Sequence, residues 1–283
     1  MREKVEIVLH RRLLACVAYL FGEDYGVNMA DLEGPDEEEK KLLQSKGIIS
    51  EKDKLLDKEF GYACYEYYRQ IYAPDRFDRL LIKEAENRRQ ILDLCCGGGA
   101  TVWSLLRNEP ELVYALDRNV KQLELLEALL RTLQDGGGGV VVKAADAHQL
   151  PLGNDAVDFV VCRAALQYLD ADRALEEMNR VLSPRGKVFL LVHGSGYPWH
   201  YLFKRKGIFM KKSAGYVLQK VLGFSRRGSR INPSYPSQSR FLTKSGLTSS
   251  LLAAGFREVR VYTEPQWTVF GGLPVYFAVV AEK

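Results

Sequence analysis

The stretch Gln90-Ile-Leu-Asp-Leu-Cys-Cys-Gly-Gly-Gly-Ala-Thr-Val-Trp-Ser-Leu-Leu106 constrains the fold more than any other part of this chain. A short apolar run carries Asp93, breaks into Gly97, Gly98 and Gly99, and resumes in a helix-like pattern. That order reads as strand, tight turn and helix. Glycines at such a turn let the backbone approach a ligand closely, because no Cβ stands in the way. The start of the helix then offers free N–H groups. An acid at the end of the strand, here Asp93, can hold a cationic or hydroxyl-bearing part of that ligand.

From Gln90 onward, strand-like and helix-like patterns alternate, as in a parallel sheet covered on both faces. Strands are expected at 91–94, 112–116, 140–143, 157–162, 187–192, 258–263 and 275–282. Helices are expected at 101–107, 120–133, 171–182 and 243–254. The helix 171–182 is expected to close at Ser183-Pro184-Arg185-Gly186, and Gly136–Gly139 reads as a connector because a strand follows it. Residues 1–60 look helical, with an amphipathic helix over 1–21 and a charged helical region over 37–56 broken at Gly47. A tyrosine-rich helical stretch spans 62–86.

No apolar run reaches the roughly 18–20 residues needed to cross a bilayer. The segment before Cys16 carries Glu6 and His10-Arg11-Arg12, so it does not read as a cleavable leader. The five cysteines are odd in number and make no C-x-x-C pair. Neither a disulfide framework nor a metal site is expected, and a reducing cytoplasm is the natural home. The net charge of +4 is unevenly spread: residues 23–59 are acid-rich, while Met178 to Arg257 contains no Asp or Glu. Such asymmetry reads either as an anionic partner or as solvated faces of opposite sign.

In an open parallel sheet, ligands bind outside the carboxyl ends of the strands. Asp93, Asp117, Asp146 and the pair Cys162-Arg163 all fall at such ends. A carboxylate at Asp117 can accept bonds from two ribose hydroxyls, and one at Asp146 can meet an adenine amino group. A nicotinamide dinucleotide is disfavoured, because Thr101 and Val102 occupy the region of the third glycine in G-x-G-x-x-G.

Several segments together resemble the class I S-adenosylmethionine-dependent methyltransferases. They are Leu92-Asp93-Leu94-Cys95-Cys96-Gly97-Gly98-Gly99, then Ala115-Leu116-Asp117, then Ala145-Asp146-Ala147-His148-Gln149-Leu150-Pro151. Asp158-Phe159-Val160-Val161-Cys162 with Leu166-Gln167-Tyr168-Leu169 follows, and then Glu177 to Lys187. The resemblance covers residues 62–192 and, more loosely, the last helix and strand pair. It implies a Rossmann-like α/β fold with a seven-stranded, mostly parallel sheet, helices on both faces and the last strand antiparallel. Residues 1–61 would be an N-terminal helical extension, 62–283 the catalytic domain, and 194–242 an inserted lid that selects the substrate.

The resemblance also implies roles. Gly97 and Gly99 would line the methionine end of S-adenosylmethionine, with Asp93 supporting the loop. Asp117, with Arg118 beside it, would take the ribose, and Asp146 with the Ala147 backbone the adenine. Arg163 would face the cofactor through its backbone. Cys95 stands where the family usually has glycine, a departure that bears on the path of the loop. Tyr72 and Tyr168 are read as walls of the cofactor or substrate site. Where the acceptor must lose a proton a base is needed; His193 is the best-placed candidate and His148 the next.

The segment 194–242 mixes aromatic and basic residues. Its first reading is a cap over a small molecule, with Tyr197, Trp199 and His200 joining Tyr168 at the substrate. The alternatives are a surface for a lipid-like quinone, a contact for RNA, and a chain that serves as a catalytically inactive partner subunit. The tetrapeptide Asn232-Pro233-Ser234-Tyr235 is read as a turn, because it lies far from the fourth strand. Nucleic acid is disfavoured, and a homodimer is left open.

Overall fold

The computed structural model describes residues 1–27, 32–132, 139–204 and 242–283. The expected basic runs at 204–206 and 211–212, the tetrapeptide 232–235 and most of the glycine connector lie wholly or largely outside them. The lid expected at 194–242 is described only at its two ends.

The chain opens with helices α1 (Arg2–Leu9) and α2 (Arg11–Tyr25). They are two helices rather than one because His10 is extended between them, its side chain accepting the Leu13 N–H at 3.4 Å to start α2. Next come α3 (Glu37–Ser45), α4 (Lys58–Tyr72) and α5 (Arg76–Glu84). Capping boxes start α3 at Asp36 and α5 at Asp75, each satisfying amide groups that a helix start otherwise leaves unpaired. Helix α3 ends well short of the expected 56: Gly47 takes a φ of +65°, and Ile49 and Leu55 then form a short antiparallel bridge. Helix α4 runs straight through the boundary expected at 61/62.

The sheet comprises β1 (Gln90–Leu94), β2 (Leu112–Asp117), β3 (Gly139–Ala144), β4 (Val157–Arg163), β5 (Leu182–His193), β6 (Arg257–Thr263) and β9 (Tyr276–Glu282). A separate small hairpin pairs β7 (Thr268–Val269) with β8 (Leu273–Pro274). The remaining helices are α6 (Ala100–Leu105), α7 (Val120–Thr132), α8 (Ala171–Val181), α9 (Tyr197–Lys204) and α10 (Lys244–Ala253).

The order across the sheet is β3-β2-β1-β4-β5-β9-β6, and β9 runs antiparallel to both of its neighbours. Strand β5 starts at Leu182, so the expected turn at 183–186 is part of the strand. It enters through a register shift against β4, with Arg185 at φ +64°. This topology brings the carboxyl ends of β1, β2 and β4 side by side, flanked by β5 and by the amino end of β9.

The strands are apolar through most of their length because both faces are covered. One face packs on α8 and α10 through Leu175, Met178, Leu247 and Leu251, and the other on α5 and α6 through Phe77, Leu81, Val102 and Leu105. A third cluster joins α1, α2 and α4 to Ala100 and to Leu125 and Leu129 of α7. The N-terminal helices are thereby fixed directly over the helix that follows the glycine turn.

Candidate active site

The turn after β1 is held from two sides. From β2, the Leu116 carbonyl accepts the N–H groups of Cys95 at 2.7 Å and Cys96 at 3.1 Å. Asp117 then accepts the Gly97 N–H at 2.9 Å and the Asn119 N–H at 2.8 Å. From α4, Tyr67 donates its hydroxyl to the Gly98 carbonyl at 2.7 Å, and Thr101 donates to Gln70 at 3.1 Å. The turn is a preorganised arc of backbone rather than a loose loop.

Cys95 adopts a φ of +61°, the left-handed region that glycine favours. A conformation suited to glycine is therefore adopted with a side chain in place, at a strain of order 1 kcal/mol. Gly97 has a φ of +54°, and a Cβ there would meet nothing within 4 Å, so it leaves open space for a ligand. Gly99 differs: its φ is +90°, and a Cβ would collide with Leu126 of α7. Its lack of a side chain serves the packing of α7 against the turn, rather than the methionine end expected for it.

Asp93 is 1 % exposed, and its Oδ2 has no hydrogen-bond partner among the described residues. Burial pushes its pKa up to about 7; the Arg163 guanidinium opposes this, Asp117 adds to it, and the Val102 amide opposes it. A carboxyl whose folded pKa is raised contributes stability that is present below its unfolded value near 4 and is lost as pH rises through about 7. Asp93→Asn keeps an acceptor for the Val102 amide. It is expected to gain stability relative to wild type steadily between about pH 4 and about pH 7, and to level off above that, in denaturant titrations. A difference that stayed flat over that range would show Asp93 ionised throughout.

The other expected residues divide. Arg118 is exposed beside Asp117. Asp146 accepts both the His148 N–H at 2.9 Å and the ring Nδ1–H at 2.7 Å, and those contacts hold its pKa below the ordinary range. Ala147 between them is buried. The His148 Nε2 accepts the Asp170 N–H at 3.0 Å, so both ring nitrogens are engaged in fixing this loop and neither is left for a substrate proton. Tyr72 does not reach the turn: it lies beside Tyr68 and under the Arg11 guanidinium, whose central carbon is 5.0 Å from the ring centroid. The face of α4 that meets the turn carries Ala63, Tyr67 and Gln70 instead.

The Arg163 side chain is 8 % exposed and pairs with Asp78 of α5 at 2.7 Å. Asp78 also accepts from Arg69 of α4 at 2.8 Å, and Arg69 reaches Glu66 at 2.9 Å. Burial raises the carboxyls of both Asp78 and Glu66, but the two arginines outweigh it and hold both below their ordinary values. Sequence reading did not single out this network. Its signal is the i, i+3 pair Glu66 and Arg69, set among the tyrosines of α4 and easily taken for a solvated face.

Beyond Arg163 an aromatic site forms. His193 ends β5, is 7 % exposed and stacks on Tyr197 with centroids 3.8 Å apart. Tyr168 and Tyr276 stand edge-on to His193 at 5.9 and 5.2 Å. Tyr62 of α4 lies with Phe21 and Tyr65 instead, its ring centroid 5.7 and 6.4 Å from theirs. Trp267 packs on Tyr276 at 5.0 Å and donates to Asp75 at 3.3 Å, tying this wall to α5. The expected group of substrate residues is split. Tyr197 is at His193 and His200 is beside Trp267, whereas Trp199 points away to Phe203 and Phe270.

An orphaned carboxylate oxygen at Asp93, open space at Gly97 and a ribose-competent acid at Asp117 fit S-adenosylmethionine. Comparison with known proteins agrees. A methyltransferase-domain family profile matches residues 92–190. A malonyl-[acyl-carrier protein] O-methyltransferase of Geobacter sulfurreducens is 28 % identical over 78 % of this chain and 76 % of its own length. A demethylmenaquinone methyltransferase of Lactobacillus johnsonii is 37 % identical over 35 % of this chain and 42 % of its own. The chain spans about half the length of several other curated relatives, uncharacterised methyltransferases among them. A solved S-adenosylmethionine-dependent methyltransferase from Methanosarcina mazei shares the fold, with a TM-score of 0.53 at 22 % identity over 72 % of this chain and 96 % of that one. Together, the methyltransferase domain at 92–190, the curated relatives and the shared fold support a class I S-adenosylmethionine-dependent methyltransferase, with S-adenosylmethionine as the cofactor these similarities imply.

Proposed function

We propose that this enzyme methylates a small-molecule acceptor, bound beside the cluster of Tyr168, Tyr197 and Tyr276 around His193. The observation that supports this reading is the convergence of Tyr168, from the turn after β4, and Tyr276, from the amino end of β9, on His193. Curated relatives named for an acceptor are named for malonyl-[acyl-carrier protein] or demethylmenaquinone, neither of them a nucleic acid.

When bound, S-adenosylmethionine supplies a methyl carbon on a positively charged sulfur, which a lone pair of the acceptor displaces in line. Positioning supplies much of the rate in such a step. In this reading Gly97 and Asp93 hold the methionine end, Asp117 the ribose, and Asp146 with Ala147 the adenine. The aromatic rings orient the acceptor and exclude water. His193 is the proton acceptor where the acceptor group is neutral and acidic, since His148 is engaged elsewhere. Helices α1 and α2 back the cofactor turn by packing on α4, Ala100 and α7, and the setting is biosynthetic and cytoplasmic. No helix among the described residues is long and apolar enough to cross a membrane.

The test is methyl transfer from labelled S-adenosylmethionine into a small-metabolite extract and, separately, into total RNA. Label is expected in the small-molecule fraction, with activity changing less than about twofold between 50 and 200 mM salt. An RNA acceptor held through several phosphate contacts would lose orders of magnitude over that range. Calorimetric titration showing no binding of S-adenosylmethionine would instead favour an inactive partner subunit.

A further inference from the structure

In the glycine turn, one peptide group is left uncommitted. The Gly97 N–H is committed to Asp117 at 2.9 Å, and the Gly99 N–H to the Cys96 carbonyl at 3.0 Å. The Gly98 carbonyl accepts the Tyr67 hydroxyl at 2.7 Å. Between these points lies the peptide joining Gly97 to Gly98. Its N–H has no hydrogen-bond partner among the described residues, and its carbonyl meets only the Cys96 thiol among them, a weak donor, at 3.7 Å. A Cβ on Gly97 would meet nothing within 4 Å, so this peptide borders open space.

A peptide between two glycines turns easily, because neither residue carries a Cβ to restrict it. Here its two flanks are held, and from different layers of the fold. Asp117 of β2 grips one side and Tyr67 of α4 the other. Helix α4 is in turn backed by α2, since Phe60 and Cys64 share an apolar cluster with Val17 and Phe21. Tyr67 is 1 % exposed, and its ring stands edge-on to Trp103 of α6 at 5.9 Å. Burial pushes its phenol well above the ordinary value, with Cys96, Cys64 and Asp93 adding to it, so the hydroxyl stays a donor. The closeness of α4 also explains glycine at 98. A Cβ there would sit 3.1 Å from that of Ala63 and 2.9 Å from the Gln122 amide oxygen.

We propose that Tyr67 is a positioning residue for the cofactor: by holding the Gly98 carbonyl, it fixes the Gly97–Gly98 peptide in the orientation that receives the methionine end of S-adenosylmethionine. The proposal rests on reading this turn as the cofactor site. Tyr67 touches no ligand in this scheme and acts through the backbone, which makes the N-terminal helices a working part of that site. Without the hydroxyl, the buried Gly98 carbonyl has no donor, and rotation of the glycine peptides relieves that. The same rotation carries the free N–H away from the ligand. The adenosine end, assigned to Asp117 and Asp146, does not depend on this peptide.

The experiment uses the full chain and two ligands, S-adenosylhomocysteine and methylthioadenosine, which lacks the amino-acid end. Titration calorimetry is expected to show Tyr67→Phe weakening S-adenosylhomocysteine about tenfold and methylthioadenosine less than about threefold. Thr101→Val breaks the neighbouring tie between α6 and Gln70 of α4. It is expected to leave the ratio of the two affinities within about twofold of wild type. A merely structural role would lower the Tm of Tyr67→Phe and leave that ratio unchanged, which overturns the proposal. So does a ratio that Thr101→Val moves as far. Should Tyr67→Phe not fold, backbone amide NMR relaxation of the ligand-free wild type decides. The Gly97, Gly98 and Gly99 amides are expected to match the order parameters of β1, near about 0.85, and values clearly below those of β1 overturn the proposal. Failure of S-adenosylhomocysteine to bind the wild type would be a different result, bringing down the cofactor-site assignment itself.

Discussion

Asp117→Ala is expected to bind S-adenosylhomocysteine at least about a hundredfold more weakly than wild type. A carboxylate accepting two ribose hydroxyls makes two charge-assisted bonds, each worth about 1.5–3 kcal/mol. The same change removes the acceptor that now fixes the Gly97 N–H at 2.9 Å, so the arc around the ligand loosens as well. Stability is expected to change little, because Asp117 is only partly buried and its Asn119 contact belongs to a local turn. Calorimetric titration beside a thermal melt separates the two effects. Unchanged affinity would place the ribose elsewhere and undo the assignment of this strand end.

Asp78→Ala is expected to be among the most destabilising single changes in the chain. The Asp78 side chain is 5 % exposed and faces two guanidinium groups, of Arg69 and Arg163, that are themselves 17 % and 8 % exposed. Removing one partner from a buried ion pair leaves the other charge without compensation, at a cost of about 3–5 kcal/mol. For a chain of this size that corresponds to a fall in Tm of roughly 10 °C. Asp78→Asn isolates the electrostatic part, because the amide still accepts the Asp75 N–H in the capping box of α5. A melt of Asp78→Asn within about 2 °C of wild type would show that the cap, and not the ion pair, carries the stability.

The catalytic half of this fold is legible because its strands are buried on both faces and so read as short apolar runs. The acids of the site stand where those runs stop: Asp93, Asp117 and Asp146 are visible as punctuation. Residues whose roles depend on distant partners are not visible in that way. Nothing near Arg163 announces that its guanidinium turns back to Asp78, on a helix that precedes the whole sheet. Tyr72 and Tyr67 share one tyrosine-rich pattern, and only the packing of α4 on the glycine turn tells which of them faces it. His148 stands two residues after Asp146, and that adjacency is what engages it. At Ser183-Pro184-Arg185 a turn-like composition proved compatible with a strand, since a register shift against β4 absorbs it.

Cys95 illustrates what the glycine turn selects. Two amide N–H groups, its own and that of Cys96, converge on the single carbonyl of Leu116, and this convergence demands a positive φ whatever residue is present. The requirement is one of handedness. The backbone there follows the path natural to a mirror-image amino acid, and glycine ordinarily meets it by being achiral. A chain assembled by chemical synthesis with D-alanine at this one position would therefore suit the turn better than the L-cysteine it carries. The specificity of the turn lies in its stereochemistry.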